Sequence, residues 1–185
     1  NLSKKSPRNN KHKKIKKILF ISTFNSSMEC LFHDYVLAKN LEIKGAEIIP
    51  VSVGNFKFGG NKYFGKYHRH PHEMSESHTP LYDKILWKFI YKSKLLTFDD
   101  FINSDIERNV KKIFNEYKSQ KINNVLLEDL DLLECAITKM INSNGVSDYK
   151  LIKNYKKKLD NYLYHSIYIF FIVKNILRNI NPDIA

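Results

Sequence analysis

Glu29 and His33 stand four residues apart in "STFNSSMECLFHDYVLAKN". On a helix that spacing puts a carboxylate and an imidazole on one face. A carboxylate beside an imidazole can take the proton from a hydroxyl nucleophile. The same Glu29 has a plainer use, complementing the positive end of a helix dipole. Just before the pair, Thr23, Asn25, Ser26 and Ser27 offer three hydroxyls and an amide, with no glycine among them. Ser26 or Ser27 can cap the following helix. Alternatively the turn is a polar pocket presenting hydroxyls, an amide and free backbone N–H groups to a sugar or phosphate.

Two further stretches have residue types suited to chemistry. In "YHRHPHEMSESH", His68, His70 and His72 alternate, with His78 beyond. Imidazoles at alternate extended positions lie ~6–7 Å apart on one face and suit zinc or nickel. No cysteine accompanies them, so the stretch reads as a solvated or pocket-lining loop, with no metal expected. Asp129-Leu130-Asp131 formally matches a metal-binding DxD pattern, but three residues carry little information. Asp129 or Asp131 as a helix cap is the competing reading.

Elements must position these groups. An apolar run over 17–23 has the length of a buried parallel strand. From 28 to 44, Leu31, Tyr35, Ala38 and Leu41 recur at helical spacing, and Gly45 is the stop. A second strand follows over 46–53, with Pro50 marking an edge position or a bulge. Together these make a strand–helix–strand unit of parallel strands. Residues 55–80 read as a long loop. The aromatic-rich 81–96 reads as helix, as does 97–118, opened by Thr97 with Asp99 and Asp100 behind it. A third helix falls within 125–141. Asp148 is expected to cap a long helix over 149–180, which Asn181-Pro182 ends, and Ile184 would start another strand.

The longest apolar stretch, "YLYHSIYIFFIV", is shorter than the ~20 residues that span a bilayer. It contains His165 and runs into Lys174, Asn175 and Arg178, and its spacing is that of a buried core helix. Cys30 and Cys135 form no metal or redox spacing, which favours a reduced, cytosolic setting. The formal charge is +12, but eight Lys/Arg fall in residues 1–17 with no acid, so the remainder carries +12 − 8 = +4. Only four basic residues are Arg, the side chain that reads bases and phosphates by its fork. No specific nucleic-acid binding is therefore expected. Residues 1–15 read as a basic tail and 16–185 as one domain. The lack of a starting Met and the stop at "NPDIA", where an apolar segment begins, read as a chain cut at both ends.

"KKILFIST…ECLFHDYVLAKNLEIKGAEIIPVSVG" resembles the start of GT-B glycosyltransferases that build bacterial capsule and other surface polysaccharides. "VLLEDLDLLECAITKMINSNGVSDYKLIKNYKKKLDNYLYHSIYIFFIVKNILRNINPDIA" is similar to that family's long helix running into "PD" and a strand. The resemblance is one of pattern over 16–185 and has no single diagnostic motif. It implies an α/β fold, a Rossmann-like parallel sheet with a large helical portion, forming the N-terminal, acceptor-side half of a GT-B enzyme. It further implies a nucleotide-sugar donor held by a C-terminal domain, no cofactor in this half, and a glycan or lipid-linked acceptor. On that reading Thr23, Asn25, Ser26, Ser27, His68 and His70 line the acceptor site, with Glu29, His33 or a histidine of the loop as base. The location implied is the cytoplasm, with the basic tail holding the protein near the anionic inner face of a membrane. The alternative is a non-enzymatic basic module binding nucleic acid or an acidic partner.

Overall fold

The computed structural model describes residues 15–22, 28–52, 95–119 and 124–185. The chain is α/β, with a small parallel sheet. Strand β1 (Lys17–Ser22) and strand β2 (Glu47–Ser52) lie side by side from Lys17↔Glu47 to Ser22↔Ser52. Helix α1 (Met28–Ile43) joins them. A third, two-residue strand β3 (Leu96–Thr97) pairs with the end of β2 through Val51↔Leu96 and Ser52↔Thr97. On the other side of β1, Ile184 forms a parallel bridge with Ile18. Across the sheet the order is therefore β3, β2, β1, then the chain around Ile184.

Strand alternation sorts the apolar residues into two layers. Leu19 and Val51 are buried in one core together with the three later helices, and Ile21, Ile49 and Leu96 pack against it. Their neighbours Phe20, Ile48 and Leu95 pack instead against Tyr35 and Ala38 of α1. Helices thus cover both faces, which is why β1 and β2 read as nearly continuous apolar runs. Helix α1 ends as its sequence demands. Gly45 takes φ 91°, its N–H donates to Glu42 C=O at 2.8 Å, and Ala46 N–H reaches back to Leu41 C=O at 3.0 Å. A side chain at that φ would be strained.

Pro50 is not on an edge, since β2 is the central strand of the three, and it pairs in plain register with Phe20. Parallel ladders alternate the direction of successive N–H groups. Glu47 N–H points to β1, donating to Lys16 C=O, so position 50 faces the other side. There β3 pairs only with Val51 and Ser52, and the missing N–H of Pro50 costs no ladder bond.

The helical layer corrects three sequence expectations. Leu96 belongs to β3, so the helix expected over 81–96 does not reach it (81–94 lie outside the described residues). The helix expected over 97–118 is two elements, a 3-10 turn (Phe98–Phe101) and helix α2 (Ser104–Lys118). Phe98 and Phe101 are both buried, and the three-residue repeat of the tighter turn stacks them directly one above the other. The chain then extends at Ile102, and Asn103 caps α2 by accepting from Ile106 N–H at 2.9 Å. Within 125–141 a two-residue hairpin, β4 (Leu126–Leu127) with β5 (Leu130–Asp131), precedes helix α3 (Leu132–Asn144).

Asp148 does not cap the long helix. It accepts from Lys150 N–H at 2.8 Å and opens a 3-10 turn (Tyr149–Leu151). This turn sends Ile152 into the core before helix α4 (Tyr155–Ile180) begins. Along α4 the buried residues are Leu159, Leu163, Ile167, Tyr168, Ile172 and Ile176. Four-residue steps advance the stripe by about 40° each, so it winds around the helix. One end of α4 can therefore pack on α3 and α2 while the other reaches the Phe98–Phe101 turn, which explains an apolar run that needs no lipid. Among the described residues no helix is long and apolar enough to cross a membrane.

Candidate functional site

Each strand of the sheet ends in a residue that bears a hydroxyl: Ser22, Ser52 and Thr97. The register aligns them, Ser22 with Ser52 and Ser52 with Thr97. With strands ~4.8 Å apart, the row covers about 10 Å along the carboxyl edge of the sheet. Open parallel sheets bind ligands beyond that edge, where the strand order reverses direction. Here the chain goes outward from β1 through β2 to β3, then returns to the opposite side of β1 at Ile184. The reversal therefore lies beside Ser22.

Thr97 is held firmly. The Asp100 carboxylate accepts from Thr97 N–H at 2.7 Å and from Thr97 Oγ1–H at 3.1 Å through the same oxygen. A hydroxyl that donates to Asp100 keeps its lone pairs for an incoming donor. Asn175 Nδ2 of α4 donates to Phe101 C=O at 2.6 Å and ties the 3-10 turn to the helical layer. Asp99 in this turn is exposed, yet its pKa is raised, first by partial burial of the carboxyl and then by the neighbouring Asp100. A carboxyl so placed holds its proton more readily than an isolated one.

Helix α1 opens on the same edge, because it leaves the end of β1 and returns to the start of β2. Glu29 falls in its first turn and His33 in its second, so the four-residue relation stands on a real helix, and His33 is exposed. Of the residues singled out in the sequence, these two are placed at the carboxyl edge. Thr23, Asn25, Ser26 and Ser27, between β1 and α1, lie outside the described residues, as do His68 and His70. Asp131 is a cap, its Oδ1 accepting from Leu133 N–H at 2.9 Å and Glu134 N–H at 3.1 Å, and Asp129 sits in the exposed hairpin turn. Among the described residues no group of three His, Cys, Asp or Glu side chains is placed to hold a metal.

The hydroxyl row escaped the sequence reading. Its signal was a hydroxyl directly after an apolar run in "ILFIS", "IIPVS" and "LLT", but only the pairing register brings the three together. No family model, curated protein or solved structure matches this chain.

Proposed function

We propose that this chain is the acceptor-side, N-terminal domain of a GT-B-type glycosyltransferase. Its carboxyl edge binds the sugar hydroxyls of a surface-glycan or lipid-linked acceptor. The observation that carries this reading is the in-register row Ser22, Ser52 and Thr97 beside the point where the strand order reverses. Neutral hydroxyls and amides suit a sugar, which offers many donors and acceptors and no charge. A pyrophosphate would call for close backbone approach over glycines, and "STFNSS" has none.

In this reading Glu29 or His33, in the first two turns of α1, accepts the proton of the attacking acceptor hydroxyl, and His33 is exposed. The nucleotide-sugar donor binds a second domain, which stabilises the leaving pyrophosphate. The isolated chain therefore transfers no sugar. Saturation-transfer NMR on the isolated chain tests the division of labour. Signals from acceptor oligosaccharides with none from nucleotide sugars are expected. Signals from nucleotide sugars alone would overturn it.

A further inference from the structure

The end of α4 remote from the sheet has a surface that the transferase reading does not use. Between Tyr149 and Lys158 the chain has five lysines and no acid. Lys150, Lys153, Lys156 and Lys157 are exposed, and none of them forms an ion pair among the described residues. Lys158 is turned aside, donating to Asn144 Oδ1 at 3.1 Å. Three of the five lysines lie in the first turn of α4, which contains no acid. Cations there oppose the helix dipole, so fold stability does not account for them.

Amid these charges stands Leu151, 72% exposed at the end of the 3-10 turn, while the next residue, Ile152, is buried. Tyr149 and Tyr155, half-buried against the main core, stack edge-on with ring centroids 5.6 Å apart and anchor the turn that presents Leu151. A large exposed apolar side chain with exposed lysines before and after it in the chain is wasted on a soluble anion or a nucleic-acid backbone. It fits a surface whose outer layer is anionic and whose next layer is hydrocarbon.

The direction of α4 adds a geometric point. After α4 the chain enters a parallel pairing with β1, so the helix runs from the carboxyl side of the sheet towards its amino side. Asn175 sits level with the Phe101 turn, and Tyr155 lies twenty residues earlier, about 30 Å further out. The lysine-bearing tip therefore projects on the same side as the hydroxyl row.

We infer that the Tyr149–Leu151 turn and the first turn of α4 form a docking surface for an anionic lipid bilayer, with Leu151 entering the headgroup layer and Lys150, Lys153, Lys156 and Lys157 meeting lipid phosphates. This surface is separate from the basic tail and does not depend on the transferase reading. The test is co-sedimentation of the full chain with phosphatidylcholine vesicles, with and without phosphatidylglycerol. Binding is expected only with phosphatidylglycerol. Replacing the four lysines with glutamine should weaken it about 600-fold, since each lysine near such a surface contributes about fivefold. Leu151→Ser, with charge unchanged, should weaken it about tenfold. Circular dichroism must show native helix content in both variants. If the lysine variant loses helix, Leu151→Ser and Leu151→Phe decide, Phe binding at least as well as the native chain. Unchanged vesicle binding in folded Leu151→Ser overturns the inference. So does a lysine variant that loses DNA binding while keeping vesicle binding.

Discussion

Ile184 lies parallel to Ile18 across a single bridge: Leu19 N–H donates to Ile184 C=O at 2.9 Å, and Ile184 N–H donates to Lys17 C=O at 3.2 Å. Those contacts put a strand start on the free side of β1 and create the reversal in strand order beside Ser22. Asp183 reinforces them, its Oδ2 accepting from Lys17 N–H at 2.9 Å.

Asp183→Ala should therefore destabilise the sheet by about 0.5–1 kcal/mol, the worth of one exposed hydrogen bond. Urea unfolding checks the stability. Hydrogen exchange at the Leu19 amide, protected in the native chain, should accelerate in the variant.

The two positive-φ glycines among the described residues should differ. Gly145 sits at φ 62° and Gly45 at φ 91°, and a Cβ would meet nothing within 4 Å at either. Only backbone strain remains, and other L residues tolerate the region near 60° better. Gly145→Ala is expected to destabilise by about 1 kcal/mol and Gly45→Ala by more. Thermal melts of the two variants rank them.

Leu163 is fully buried in α4, whereas Leu177 is 39% exposed. Leu163→Ala should destabilise by about 2–5 kcal/mol through lost packing and a cavity, and Leu177→Ala by well under half of that. Denaturant midpoints at constant slope decide.

Alkali should weaken the fold through its tyrosines. Burial pushes the Tyr168 pKa up to about 12 from 10.0, aided by the charges of Glu107, Tyr164 and Asp99. Tyr117 and Tyr164 are raised in the same sense, first by burial. The folded state thus holds these protons more tightly than the unfolded chain. Their contribution is complete below the unfolded value near 10 and is lost as pH rises through about 12. Melting temperature should fall over that window, and Tyr168→Phe should flatten the fall.

Much of this architecture could be read from the chain itself. The unit from Lys17 to Ser52 has long apolar runs, a helical stripe through Tyr35 and Ala38, and a glycine stop, all local signals. Thr97, Asp131 and Asp148 were readable as caps, yet Thr97 and Asp148 open 3-10 turns, because the chain turns extended again at Ile102 and Ile152, a break that no glycine or proline announces. Strand β3 was illegible for a different reason. Two residues have no period of their own, and only Val51 and Ser52 on another strand make Leu96 and Thr97 extended. The site divides in the same way: Glu29 and His33 follow from helical spacing, while the hydroxyl row exists only through the register of three strands.

Backbone-amide NMR during titration with an acceptor oligosaccharide shows whether the carboxyl edge of the sheet binds sugar. The shifts should centre on Ser22, Ser52, Thr97 and the first two turns of α1, and a nucleotide sugar should leave them unmoved. Saturable oligosaccharide shifts that avoid that edge, or a nucleotide sugar moving those amides instead, would contradict acceptor binding there.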